Sequence, residues 1–201
     1  MKTITILTIF CTLIFCLANC SQQKDAPNDN TAPATADETE TAAASLVDRG
    51  EYLVGIMGCN DCHTPKIMTK RGPAPDVTRL LSGHRSDEEL APIADQSILQ
   101  GYALFNMSLT AGVGLWGTTY AANLTPDETG LADWTLERLG KALREGKAKG
   151  MDNGRMLLPP MPWQNYQNLS DEDLSAIWAY LQSIPAVSNV VPVPVPPAGA
   201  G

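Results

Sequence analysis

The sequence predicts one mainly α-helical domain, with a long insertion in which a small β-hairpin is expected. Three segments repeat apolar residues at the spacing of an amphipathic helix. No Val/Ile-rich run typical of a parallel strand follows the first of them. The domain is predicted over residues 46–184, a length that can enclose a hydrophobic core.

The N-terminus is predicted to be an export signal. Lys2 precedes an apolar run from Ile4 to Leu17, which is too short to span a bilayer comfortably. Residues 1–19 are therefore interpreted as a signal peptide. The run ends in "LANC", which resembles the lipobox of bacterial lipoproteins, where the thiol of the cysteine carries a lipid. We expect an exported protein that faces the periplasm or cell surface and is anchored through Cys20. An ordinary signal peptide, cleaved near the same place, is the alternative.

Two segments outside the domain are predicted to lack regular structure. Residues 20–45, which begin with the lipidated cysteine, are rich in Ala, Thr, Asp, Asn and Pro without apolar periodicity, and are interpreted as a disordered linker. Residues 185–201 alternate Val and Pro. Because proline fixes φ and removes a hydrogen-bond donor, this end is predicted to be an extended, polyproline-like tail.

Three helices are predicted in the domain from periodicity and capping residues. The first covers residues 46–57, the second begins at Asp133 as N-cap and ends at Gly146, and the third begins at Ser170 as N-cap and ends before Pro185. Their predicted core-facing residues are Leu46, Leu53, Val54, Met57, Trp134, Leu136, Leu139, Leu143, Leu174, Ile177, Trp178 and Leu181.

The insertion offers weaker patterns. Ser86 with Glu89 predicts a short extra helix in "SDEELAP". The Gly-rich, aromatic segment from Tyr102 to Tyr120 favours a β-hairpin or an irregular loop over a helix.

The segment "GCNDCHTPK", residues 58–66, holds the residues with the most distinctive chemistry. Two cysteines separated by two residues occur in redox dithiols, in zinc sites and in covalent haem attachment. Zinc requires four ligands, but His84 is the other histidine, and no second cysteine pair exists outside the predicted signal peptide. A redox dithiol would follow a strand, whereas a helix is predicted before Cys59. The sequence Cys59-x-x-Cys62-His63 is instead typical of c-type haem attachment.

A haem iron held by His63 needs a sixth ligand or an open position. Neutral imidazole and thioether sulfur are the usual choices. His84 is interpreted as a solvated loop histidine. Met161 is favoured, because the prolines in "LLPPMPWQNY" restrict the backbone around it. The alternative is that Met161 is a core methionine in a proline-rich turn.

Four segments resemble class I c-type cytochromes, and in particular the bacterial family that includes the cytochrome subunits of membrane-bound alcohol dehydrogenases. They are "RGEYLVGIMGCNDCH", "ANLTPDETGLADWTLERLGKALREGK", "LLPPMPWQNY" and "LSDEDLSAIWAYLQSIP". The resemblance implies a cytochrome c-like helical fold around one covalent haem c. It implies that Cys59 and Cys62 bind the haem vinyls, that His63 is the proximal ligand and that Met161 is the distal ligand.

The resemblance also implies two structural contacts. The carbonyl of Pro73, in the Gly72-Pro73 pair, is expected to accept a hydrogen bond from the His63 imidazole, with Pro65 and Pro75 as alternatives. Tyr52 and Tyr180 are expected where the first and last helices cross. The chain departs from the multi-haem relatives in having a single Cys-x-x-Cys-His motif. Its insertion over residues 66–122 is longer than a minimal class I domain needs.

These features favour an electron carrier between an exported dehydrogenase or respiratory complex and an oxidase or reductase. The alternative is a haem enzyme of the peroxidase type or a gas sensor. That alternative requires an acid or base near an open iron position, and no distal histidine is evident beside Met161. The net charge of −8 favours redox partners with a basic docking surface and disfavours nucleic acid.

Overall fold

The computed structural model describes residues 36–197. The predicted signal peptide, Cys20 and the linker up to residue 35 lie outside this range, as does the end of the predicted tail. The described part is mainly helical with two small antiparallel sheets, which confirms the predicted fold class. Its α-helices are α1 (Ala36–Ile56), α2 (Cys59–His63), α3 (Leu136–Glu145) and α4 (Asp171–Ser183). None of the helices in residues 36–197 has the length and apolar character needed to cross a membrane.

Helix α1 begins ten residues earlier than the sequence predicted. It starts at Ala36 and not at residue 46, so the prediction of a disordered linker is wrong for residues 36–45. This part of the helix has few apolar residues, which is why periodicity did not reveal it. At the other end, Gly58 adopts a left-handed conformation with φ 72° and turns the chain directly into α2.

Helices α1 and α4 form the centre of the core. Leu53 and Val54 from α1 are buried in the same apolar cluster as Ile177 and Leu181 from α4. The two helices are in close contact at Gly50, where an added Cβ would meet the Ala176 carbonyl oxygen.

The prediction that Tyr52 lies at this crossing is wrong. Tyr52 is 58% exposed, whereas Tyr180 is buried, and its Cβ is only 2.7 Å from the position of a Cβ on Gly50. Because Gly50 has no side chain, the two backbones can come close together. At the crossing, Gly50 faces Ala176 and Tyr180 of α4.

Helices α3 and α4 have the caps that local sequence favours, with one difference. Thr135, not Asp133, is the N-cap of α3, and its side chain accepts a hydrogen bond from the Arg138 amide. Gly146 ends α3 in a left-handed conformation, as predicted. Ser170 caps α4 by accepting from the Asp173 amide, also as predicted.

Five short strands lie in the segment that the sequence analysis treated as an insertion. One antiparallel pair consists of β1 (Lys66–Thr69) and β2 (Gly72–Pro75). The other sheet has the order β3–β4–β5, with β3 (Leu104–Phe105), β4 (Ala111–Gly114) and β5 (Gly117–Tyr120). Strands β4 and β5 form the predicted hairpin. The predicted helix in "SDEELAP" is wrong, since Ser86 and Asp87 form a turn.

The chain after α4 is held against the domain by hydrogen bonds that involve side-chain amides and hydroxyls. The Asn123 side chain donates to the Val187 carbonyl at 2.8 Å, and the Thr125 hydroxyl accepts from the Val187 amide. Asn189 is buried and donates to the carbonyls of Ser82 and His84. These contacts connect the end of the described chain to the two loops that flank the site described next.

Candidate haem-binding site

Helix α2 brings the two cysteines of the motif to one side of a single turn. Cys59 and Cys62 are three residues apart, a spacing that places side chains on the same helical face. Both are free thiols, so no disulfide joins them. Burial raises the pKa of Cys59 to about 11, and it also raises the pKa of Cys62. A redox dithiol requires a lowered thiol pKa, and this setting therefore disfavours that chemistry.

The His63 ring is buried and is oriented by a backbone carbonyl. Its Nδ1 lies 2.8 Å from the Ala122 oxygen and donates the hydrogen bond, because a carbonyl can only accept. Burial lowers the pKa of His63 and favours the neutral imidazole. Since no described residue hydrogen-bonds to Nε2, that nitrogen carries an available lone pair. A neutral imidazole with one N–H fixed by a carbonyl is the usual form of a metal-ligating histidine.

The predicted acceptor for His63 was wrong. Pro73 lies in β2, opposite Met68, and Pro75 pairs with Lys66. The Pro65 carbonyl accepts from the amide of Asp76 at 2.8 Å. The acceptor is instead Ala122, 59 residues from His63 along the chain. Only the tertiary structure brings this carbonyl to the imidazole, so the local Gly-Pro pattern misled the sequence interpretation.

Lys66 is a site residue that the sequence analysis missed. Its Nζ donates to the carbonyls of Asn60 at 3.3 Å, Asp61 at 2.8 Å and Thr64 at 2.5 Å. The Asn60 carbonyl also accepts from the Thr64 amide at 3.3 Å, but the last carbonyls of a short helix otherwise lack helical partners, and a cation is favourable at that end. Lys66 thus stabilises the C-terminal end of the turn that carries Cys62 and His63. The sequence feature that could have identified Lys66 is the presence of a basic residue shortly after the motif.

Met161 lies in a proline-rich loop that borders the core. It is partly buried and packs against the apolar cluster formed by α1 and α4. The loop lines an open pocket, whose residues are Met156, Leu157, Pro159, Pro160, Met161, Pro162, Trp163 and Gln164. The side chain thus lies at the boundary between the core and this pocket.

His84 is not the solvated loop histidine that the sequence predicted. It is fully buried, and both ring nitrogens are used: Nδ1 lies 2.9 Å from the Thr110 hydroxyl and Nε2 lies 3.2 Å from the Glu88 carbonyl. The Nε2–H donates to that carbonyl, so Nδ1 accepts from the hydroxyl. Burial lowers the pKa of His84. A ring engaged at both nitrogens has a structural role, and its partner Thr110 is 26 residues away along the chain.

The donor set on α2 fits covalently bound haem. Two thiols one turn apart match two thioether bonds, and the adjacent imidazole presents an unpaired Nε2 for iron. Zinc would need further ligands. No cluster of three or more His, Cys, Asp or Glu residues arranged to hold a metal ion occurs in the described chain.

Comparisons with known proteins agree with this chemistry. Residues 47–185 match the family model described as "Cytochrome c". The chain is 38% identical over 162 residues to one of the subunits of nicotinate dehydrogenase from Pseudomonas putida, covering 80% of this chain and 10% of that protein. It is 34% identical over 142 residues to the gluconate 2-dehydrogenase cytochrome c subunit of Pantoea cypripedii, covering 70% and 24%. It is 28% identical over 145 residues to the cytochrome c subunit of the quinone alcohol dehydrogenase of Gluconobacter oxydans, covering 70% and 22%.

The similarity is confined to one domain of these proteins. The chain spans between a tenth and a quarter of the length of these three relatives. The last relative confirms the resemblance to cytochrome subunits of alcohol dehydrogenases. The family model covers more than half of this chain and includes the whole Cys-x-x-Cys-His motif. The chain therefore belongs to the cytochrome c family, and its domain is an electron carrier with covalently bound haem c.

Proposed function

We propose that the protein is an exported, membrane-tethered electron carrier whose haem iron is ligated by His63 and Met161. Bound haem c supplies an iron that accepts and releases one electron at a time. The protein's contribution is to hold the two ligands and keep other molecules from the iron.

The observation that carries this proposal is the setting of His63. Its Nδ1–H is fixed on the Ala122 carbonyl, its backbone carbonyl accepts from the Gly83 amide at 2.7 Å, and the thiols that would hold haem are on the same helix turn. The imidazole is therefore oriented before it binds iron. Preorganisation of this kind limits rearrangement when the iron changes oxidation state.

Met161 is the best candidate for the second ligand. Its thioether is neutral and soft, so it favours ferrous over ferric iron and raises the reduction potential. The neighbouring prolines reduce the freedom of its loop. His84 is a poor alternative, because Thr110 and Glu88 engage both of its ring nitrogens.

We further propose that a lipid on Cys20 tethers the domain to a membrane on the periplasmic or outer side. Support comes from the apolar run before "LANC" and from the polar segment that follows it. The net charge of −8 supports electron donors or acceptors with a basic docking surface. The relatives named as dehydrogenase subunits suggest a dehydrogenase as one such partner.

The ligand assignment can be tested by carbon monoxide binding to the reduced protein. Wild-type protein with both ligands in place should bind carbon monoxide poorly, because the iron has no open position. The Met161→Ala variant should bind it readily and should also have a lower reduction potential.

Met156→Ala provides a matched control. Met156 lines the same pocket, is 43% exposed and precedes the prolines, so its removal should leave carbon monoxide binding and the visible spectrum as in the wild type. A silent Met161→Ala variant would refute the ligand assignment. Rapid carbon monoxide binding by the wild type would favour a haem enzyme or gas sensor instead.

A further inference from the structure

Strand β5 contacts the loop that carries Met161. The buried Thr119 hydroxyl donates to the Pro159 carbonyl at 2.7 Å, with a longer contact of 3.3 Å to the Gly112 carbonyl. Gly112 is the partner of Thr119 in the neighbouring strand β4. A Cβ on Gly112 would lie 3.1 Å from Cδ of Pro160, so the proline ring rests directly on the sheet. The loop is thus hydrogen-bonded to the sheet at Pro159, two residues before Met161.

The same stretch of chain also reaches His63. Three residues after Thr119, the Ala122 carbonyl accepts the hydrogen bond from His63 Nδ1 at 2.8 Å. Between them, the Ala121 carbonyl accepts from the His84 amide at 2.9 Å. Three extended residues span only about 10 Å. One short segment therefore holds the loop of Met161 at one end and the imidazole of His63 at the other.

Strand β5 is restrained along both of its edges. On one edge it pairs with β4, in the register Ala111↔Tyr120 to Gly114↔Gly117. On the other edge Thr118 exchanges two backbone hydrogen bonds of 2.8 and 2.9 Å with Val195. A strand paired on both sides has little freedom to shift, because any displacement breaks hydrogen bonds on both edges.

We propose that Thr119 is a positioning residue for Met161, and that the segment from Thr119 to Ala122 sets the placement of Met161 and His63 relative to each other. This inference rests on the proposed His63 and Met161 ligation. It gives a role to the long insertion, whose sheet otherwise contributes little to the helical core. A loop held by this hydroxyl would keep the Met161 thioether in place for bound haem in either oxidation state.

The test compares Thr119→Val with Thr119→Ser in the haem-loaded protein. Valine has nearly the shape of threonine but cannot donate, whereas serine keeps the donor. Losing one hydrogen bond to the loop should shift the balance towards released Met161 by about five- to tenfold. Reduced Thr119→Val should bind carbon monoxide tighter by this factor, and ferric Thr119→Val should lose its sulfur-to-iron charge-transfer absorption at a lower pH. Thr119→Ser should match the wild type in both measurements.

Thr118→Val is the positional control. Thr118 is the neighbouring residue on β5, and its side chain makes no hydrogen bond within residues 36–197, so the same substitution there should leave carbon monoxide binding unchanged. Gly112→Ala perturbs the loop from the sheet side, because the new Cβ presses on Pro160, and it should also increase carbon monoxide binding.

Three results would overturn the inference, and they distinguish the positioning role from the ligation. If Met161→Ala opens the iron to carbon monoxide but Thr119→Val does not, the ligand assignment stands and the positioning role of Thr119 is refuted. That role is equally refuted if Thr119→Val lowers the melting temperature without changing carbon monoxide affinity. If Met161→Ala itself has no effect, the proposed ligation fails, and the inference fails with it.

Discussion

Gly50 in α1 and Ala176 in α4 meet with no side chain between their backbones. A Cβ on Gly50 would overlap the Ala176 carbonyl and lie 2.7 Å from Cβ of Tyr180. Ala176 is fully buried, so neither helix can move away from the other without opening the core. Since α1 leads directly into the turn that bears Cys59 and His63, this crossing sets where the haem-binding motif lies against the core.

Gly50→Ala should therefore destabilise the protein despite the better helix propensity of alanine. Propensity alone would stabilise α1 by up to about 1 kcal/mol, but overpacking of a close helix crossing typically costs about 1–3 kcal/mol. We expect a lower free energy of unfolding, measured by urea titration.

Gly55→Ala is the matched control in the same helix. Nothing lies within 4 Å of a Cβ at Gly55, so only the propensity term remains and the protein should become slightly more stable. Equal effects of the two substitutions would show that the crossing does not depend on the absence of a side chain at Gly50.

Features encoded by adjacent residues were predictable from the sequence. Ser170 followed by three acidic residues specified the start of α4, and Gly146 specified the end of α3. The motif of Cys59, Cys62 and His63 is equally local, and its chemistry follows from residue type and spacing.

Features that depend on distant contacts were not predictable. The acceptor for His63 is 59 residues away, and the hydroxyl that engages His84 is 26 residues away. No pattern of neighbouring residues reports such pairings. Similarly, Thr119 appeared as one residue of a Gly-rich loop, because its partner Pro159 is 40 residues further along the chain.

Covalent attachment predicts a simple result for the two cysteines. Cys59→Ala or Cys62→Ala should remove one thioether bond, so that haem is lost or weakly retained after denaturing electrophoresis with haem staining. Cys20→Ala, which lies outside the motif, should keep full staining. Wild-type staining intensity in both motif variants would contradict covalent attachment through these residues.

The proposed lipid anchor predicts a change of fraction for the Cys20→Ala variant. Without the acylated thiol, the domain should move from the membrane fraction to the soluble exported fraction, as judged by fractionation and haem staining. Cys16→Ala should stay in the membrane fraction, because Ile14 and Phe15 make that cysteine a poor cleavage site. A Cys20→Ala protein that remains on membranes would instead indicate an uncleaved signal or a tight integral partner.

The burial of His84 predicts a specific dependence of stability on pH. Burial lowers the pKa of His84 below the 6.5 of an ordinary histidine, so the unfolded chain binds this proton more readily than the folded protein does. The stabilising contribution of the neutral ring is complete above about pH 6.5. It decreases as the pH falls below 6.5 and levels off only below the lowered pKa of the folded state. Under the proposed ligation, His63 binds the iron of the holoprotein and does not titrate in this range, which leaves His84 as the remaining histidine.

His84→Gln isolates this contribution, because glutamine is polar but does not titrate. The wild type should lose unfolding free energy between pH 7.5 and 5.5, measured by urea titration of the holoprotein, and the variant should lose less. Groups common to both proteins cancel in the comparison. Three carboxylates with lowered pKa values, Asp95, Asp127 and Asp152, change charge only in solutions more acid than this pH range. The same pH slope in both proteins would mean that the proton on His84 is not linked to folding. In that case the contacts with Thr110 and Glu88 would have to accommodate the charged ring as well as the neutral one.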